Sequence, residues 1–125
     1  MPRVSLVLPA LNEADNLAEA VAQARGPLDA ISPDWEIVLV NDGSTDDTGA
    51  LADRLASEDP RVRAVHHPEN RGLGAAVRTG FDAATGDVLI YADSDLPFDM
   101  AALVEAWELM ESSGADLVTG FRTNR

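Results

Sequence analysis

Short apolar runs alternate with stretches of helical spacing along this chain, and the boundaries between them are polar. Val4 to Leu8 is a β-branched run ended by Pro9, which predicts a buried first strand. A helix should follow: Asn12 stands where an N-cap belongs, Glu13 and Asp15 put negative charge in its first turn, and Leu17, Ala20, Val21 and Ala24 keep one face apolar. Gly26-Pro27 predicts its end. Ile37 to Val40, preceded by Trp35, is a second strand that breaks at Asn41-Asp42-Gly43-Ser44-Thr45. Thr45 predicts the cap of a second helix, with Asp46 and Asp47 behind it, Leu51, Ala52 and Leu55 on its apolar face, and Pro60 beyond its end. Val62 to Val65 alternates with arginine as a weaker third strand, followed by turn residues from His67 to Gly72. Leu73, Val77, Gly80, Phe81 and Ala84 then keep helical spacing up to Gly86. Val88 to Ala92 is a fourth strand, Leu103, Trp107 and Met110 mark a fourth helix, and Leu117 to Thr119 begins a fifth strand.

Strands separated by helices of this length cannot be hairpin partners, because parallel neighbours need a crossover. The expected fold is therefore α/β, a Rossmann-like three-layer α/β/α arrangement around a mostly parallel sheet. No repeat, linker or low-complexity stretch divides it, so residues 1–125 are expected to form a single domain. No apolar run approaches the roughly 18 residues of a membrane helix, and no membrane span is expected.

Charge narrows the chemistry. The 125 residues carry 22 acidic and 9 basic side chains, a net charge of −13, which argues against nucleic acid as a partner. Every basic residue is arginine, so a Walker lysine, a Schiff base and a kinase phosphate lysine are all excluded. There is no cysteine, hence no disulfide, thiolate metal site or thiol nucleophile. A reducing cytoplasm is the expected compartment.

In an open parallel sheet, ligands sit beyond the carboxyl ends of the strands, where the strand order reverses. Those ends read Pro9-Ala10-Leu11-Asn12-Glu13, Asn41-Asp42-Gly43-Ser44, Asn70-Arg71-Gly72-Leu73-Gly74 and Asp93-Ser94-Asp95. Three of the four carry an acid, and carboxylates gathered at one edge repel one another unless a cation lies among them. Hard oxygen ligands suit Mg2+ or Mn2+, and such a cation would let an acidic protein hold a diphosphate. Each feature also has a plainer explanation. Asp-x-Asp arises by chance in so acidic a chain, Glu13 and Asp42 can be ordinary turn acids, and Arg71 and Arg78 can be solvated surface residues. His66 and His67 read as surface residues. Gly72-Leu73-Gly74 opens like a dinucleotide fingerprint, but Val77 holds the third glycine position and the motif follows the wrong strand.

Taken together, P-A-L-N-E at Pro9 to Glu13, V-N-D-G-S-T-D-D-T at Val40 to Thr48, N-R-G-L-G-A-A-V-R-T-G at Asn70 to Gly80, G-D-V-L-I-Y-A-D-S-D at Gly86 to Asp95 and G-F-R at Gly120 to Arg122 carry a family resemblance. The chain resembles the nucleotide-sugar-binding half of family 2 inverting glycosyltransferases of GT-A fold, the group that includes dolichyl-phosphate mannose and glucose synthases. That resemblance implies that Pro9, Leu11 and Glu13 lie against the base and ribose, that Asp42 contacts base or ribose, and that Asn70, Arg71 and Gly72 line the nucleotide pocket. Gly74 would let the backbone come close. Asp93 would face the ribose or the metal, Asp95 would be the principal metal ligand, and these two acids would be the catalytic pair. Arg122 would lie on the acceptor side.

The implied reaction moves a sugar, with inversion, from a UDP- or GDP-sugar to a polyprenyl phosphate. A polyprenyl phosphate is already an anionic nucleophile, whereas a sugar hydroxyl acceptor would need a general base. The same resemblance makes the cytoplasmic face of a membrane a natural location. Two departures stand out. Pro97 replaces a glutamine that relatives commonly offer the metal two residues after the second aspartate. The family's catalytic domain also continues well past residue 125, so the chain reads as truncated before the acceptor half, with pairing of two chains as one way to cover an open edge. A binding fragment without turnover is one alternative. A nucleotidyltransferase is another. A receiver domain lacks its required lysine here.

Overall fold

The computed structural model describes residues 3–92. They form β1 (Val4–Ala10), α1 (Leu17–Ile31), β2 (Trp35–Asp42), α2 (Thr48–Glu58), β3 (Val62–His67), α3 (Leu73–Ala83) and β4 (Val88–Tyr91). The expected fourth helix and fifth strand, together with Asp93, Asp95, Pro97 and Arg122, lie outside the described residues. All strand pairs are parallel, in the order β3-β2-β1-β4.

Alternation along the strands assigns the helices to their faces. Val4, Leu6 and Leu8 of β1 and Trp35, Ile37 and Leu39 of β2 pack with Leu17, Val21, Ala24 and Leu28 of α1 and Ala52 of α2. The intervening Val7, Val38 and Val40 face Ala76 of α3, with Phe81 and Tyr91 around them. This is the expected three-layer α/β/α arrangement. Strand order reverses between β1 and β4, so the crevice of such a sheet opens beyond Ala10 on one side and Ala92 on the other.

Several boundaries differ from the sequence reading, each for a physical reason. β1 continues through Pro9. Val7 C=O accepts from Ala92 N–H at 3.1 Å, and Pro9 shares the parity of Val7, so its missing N–H faces the β4 side and removes no β1–β2 bond. α1 runs past Gly26-Pro27 to Ile31. Gly26 has no Cβ to meet the proline ring, and burial of Leu28 and Ile31 stabilises the extra turn. β2 and β3 extend into the polar pairs Asn41-Asp42 and His66-His67, which face each other in register. Leu73 is 50% exposed; the residues that α3 buries are Ala76 and Gly80, small enough to bring the helix close to the sheet.

Candidate functional site

The turn after β1 and the turn after β2 are joined by side-chain bonds to backbone. Asn12 does not cap α1, which begins after Asn16. Asn12 instead adopts φ 55°, an uncommon value that asparagine tolerates better than most residues. Its Oδ1 accepts from Thr45 N–H at 2.8 Å and Asp46 N–H at 3.3 Å, and its own N–H donates to Ser44 Oγ at 3.0 Å. Glu13 N–H donates to Thr48 Oγ1 at 2.8 Å. Thr45 is thus part of this junction, while α2 starts three residues later. The half-buried Glu13 is fixed at the carboxyl edge of β1 by its own backbone.

Asp42 organises the third turn. It lies at the end of β2, 3% exposed, and its Oδ1 accepts from Arg71 N–H at 2.9 Å while Oδ2 accepts from Gly72 N–H at 3.0 Å. His67 Nδ1 lies 2.8 Å from the same Oδ1, and His67 Nε2 lies 2.8 Å from Thr79 Oγ1 on α3. Burial alone would raise the Asp42 pKa, but the Arg71 N–H, the His67 ring and the Gly72 N–H outweigh it and hold the carboxyl below the usual range. Gly43, at φ 71°, lets the turns touch: a Cβ there would lie 2.3 Å from Asn70 N. Gly72 also has a positive φ, 98°, and its N–H is shared with Asn70 Oδ1 at 2.9 Å.

The structure therefore brings Pro9, Leu11, Glu13, Asp42, Asn70, Arg71 and Gly72 to one edge of the sheet, at the carboxyl ends of β1, β2 and β3. Leu11 is 40% exposed, and it and Leu73 are the exposed large hydrophobic residues of the described chain; both belong to turns at this edge. The side chains of Asn70 and Arg71 are exposed. Gly74 sits in the first turn of α3, and a Cβ there would meet nothing within 4 Å, so no close approach within the described chain requires glycine. Asp93 and Asp95, expected as the metal ligands and catalytic pair, and Arg122 on the acceptor side lie outside the described residues. Among the described residues no group of three or more His, Asp or Glu could hold a metal ion.

Two features escaped the sequence reading. His67 is a buried partner of Asp42, not a surface residue. Its neighbour His66 turns to the opposite face, where Nδ1 meets Asn41 Nδ2 at 3.1 Å and Nε2 meets Asp53 Oδ1 at 2.8 Å. The signal was an Asn-Asp pair at one strand end and a His-His pair at the next, but it becomes legible only once the register is known. Glu36, buried in β2, was the second.

The family model described as Glycosyl transferase family 2 matches residues 5–125. The glycosyltransferase AglD of Haloferax volcanii is 41% identical over 121 residues, which cover 95% of this chain and 19% of that protein. The polyprenol monophosphomannose synthase of Mycolicibacterium smegmatis is 39% identical over 127 residues, covering 96% of this chain and 45% of that one. Among solved structures, the mannosyltransferase PcManGT from Pyrobaculum calidifontis, in complex with GDP-Man and Mn2+, is similar with a TM-score of 0.71 and 29% identity, over 87% of this chain and 32% of its own. The chain spans less than half the length of these relatives.

Proposed function

This chain belongs to glycosyl transferase family 2, and from that membership we propose that its strand-end turns form the donor pocket of an inverting transferase, which moves a sugar from a UDP- or GDP-sugar to a polyprenyl phosphate. One observation carries the reading: three turns meet at the carboxyl edge beside the strand-order reversal, fixed through Asn12 and Asp42. The pocket walls are thereby set before any ligand arrives, which limits the ordering cost of binding.

In this reading Pro9 and exposed Leu11 offer an apolar surface to the base, Glu13 accepts from ribose hydroxyls, and Asn70, Arg71 and Gly72 line the nucleotide, with Gly74 beside its path. Asp42 contributes mainly through the turn it holds, because both its oxygens already accept internal N–H groups. Asp93 and Asp95 follow directly on β4 in sequence, and their hard oxygens suit Mg2+ or Mn2+. Such a cation, when bound, neutralises charge that builds on the departing nucleoside diphosphate. An anionic phosphate acceptor needs no base from the protein, and Arg122 would attract it. The GDP-mannose and Mn2+ bound by the Pyrobaculum relative, and the polyprenol in the name of the mycobacterial one, support this donor and acceptor class.

Calorimetry with GDP and with UDP, each with Mn2+, tests the donor pocket. Binding of either that weakens about tenfold or more in Asp95→Ala agrees with a metal-bridged diphosphate; equal affinity in parent and variant sinks the metal role. A second reading, nucleotide binding without turnover, is favoured by the fraction of its relatives that the chain spans. Sugar transfer to polyprenyl phosphate, assayed on these 125 residues and on a longer product if one exists, separates the two.

A further inference from the structure

We propose that His67, together with Thr79, is a positioning residue of the donor pocket, clamping the Asp42 carboxylate so that residues 70–72 are presented to the nucleotide. The inference rests on the donor-pocket reading above and adds to it a residue that does not line the pocket.

The geometry forms a relay across three elements. Asp42 ends β2, His67 ends β3 directly opposite it in the register, and Thr79 stands on α3 two turns beyond the segment being held. The ring has one nitrogen for each neighbour, both at 2.8 Å. An ionised carboxylate only accepts, so Nδ1 carries a proton and donates to Asp42; the Thr79 hydroxyl can donate to Nε2 or accept from it. Asp42 Oδ1 thus receives two donors, His67 and the Arg71 N–H, and Oδ2 receives the Gly72 N–H. Without the imidazole, the carboxylate would lose the bond that fixes its torsion while remaining buried. With it, the two N–H acceptors are held in one plane and orientation, and the turn carrying the exposed Asn70 and Arg71 side chains has a fixed floor. The close packing of Gly43 against Glu69 and Asn70 leaves that turn little room to settle elsewhere.

A structural role alone would cost stability and nothing more. A positioning role must show at the turn and in nucleotide affinity. The variants are His67→Ala, His67→Gln, which can still donate toward Asp42, and Thr79→Val, which removes one hydroxyl at nearly constant volume and keeps the test open if His67→Ala fails to fold. Amide hydrogen exchange is read on the free 125-residue chain, and Kd for GDP and UDP with Mn2+ by calorimetry. Exchange at Arg71 and Gly72 should accelerate roughly tenfold in His67→Ala and less in Thr79→Val, with β1 and β2 amides unchanged, and Kd should rise in the same order, with partial recovery in His67→Gln. Unchanged exchange at Arg71 and Gly72 in both Thr79→Val and a folded His67 variant overturns the clamp. Faster exchange with unchanged Kd overturns its role in the pocket. If the parent binds neither nucleotide, the donor reading falls, and the exchange result alone decides whether the clamp exists.

Discussion

Ser5 and Glu36 stand opposite each other in the β1–β2 register, and the Ser5 hydroxyl donates to Glu36 Oε2 at 2.6 Å inside the sheet. The same carboxylate accepts from Thr85 N–H at 2.6 Å, from Thr85 Oγ1 at 3.0 Å and from Arg63 Nη1 at 3.1 Å. Four donors from three other segments thus converge on one acid at the end of the sheet away from the turns that Asn12 and Asp42 hold, tying the segment before β4 to β2.

An acid-sensitive stability follows. Burial raises the Glu36 pKa, but the Ser5 hydroxyl, the Thr85 N–H, Arg63 and the Thr85 hydroxyl lower it more, taking it from 4.5 to about 2. A depressed folded-state pKa contributes stability that is present above about 4.5 and is lost as pH falls from there toward 2. The full difference corresponds to roughly 3 kcal/mol. Urea unfolding between pH 6 and pH 3 should show stability falling steeply, and Glu36→Gln should flatten that slope. An equal slope in the variant would remove Glu36 as its source.

Of the two small residues that α3 buries against the sheet, Gly80 has the tighter contact. A Cβ on Gly80 would fall 2.2 Å from Val7 Cγ1 and 3.1 Å from Val40 Cγ2. Gly80→Ala should therefore destabilise by about 1–3 kcal/mol despite the better helix propensity of alanine. Adding Val7→Ala should recover part of the loss in a double-mutant cycle. Strict additivity would mean that the two side chains do not compete for space.

The fold was legible where a local pattern and its burial agree, as in the apolar cores of β1 and β2 and the face of α1 through Ala24. It failed where a tertiary contact decides. Gly26-Pro27 reads as a stop, yet Leu28 and Ile31 are buried beyond it. His66 and His67 both read as surface residues; His66 is exposed, but register with Asp42 makes His67 a buried strand-end partner. Asn12 has cap chemistry, but it serves a turn more than thirty residues away in sequence. The candidate site was readable as strand ends because topology places ligands there; which side chains face a ligand and which hold the turns depends on three-dimensional contacts.

Asn12 offers a way to separate backbone strain from hydrogen bonding. Asn12→Gly accepts the positive φ but loses the acceptor for Thr45 and Asp46, whereas Asn12→Ala loses the acceptor and also pays the left-handed conformation. Both variants should weaken GDP or UDP binding several-fold, since the β1 and β2 turns are no longer joined. Alanine should cost about 1 kcal/mol more in stability than glycine. Equal nucleotide affinity in parent and both variants would remove this junction from the pocket.

Gly74 makes the sharpest distinction between a fold requirement and a ligand requirement. It lies exposed in the first turn of α3, where an added Cβ meets nothing within 4 Å. On conformational grounds Gly74→Ala should stabilise the chain by about 0.5–1 kcal/mol, because alanine loses less backbone freedom in a helix. If the glycine is there so that a nucleotide can approach the backbone, the same methyl group should weaken GDP or UDP binding about tenfold even as Tm rises. These opposite signs are expected together. A rise in Tm with unchanged affinity would place Gly74 outside the pocket, and the segment contacting the nucleotide would then end at Gly72, where the Asp42 carboxylate holds it.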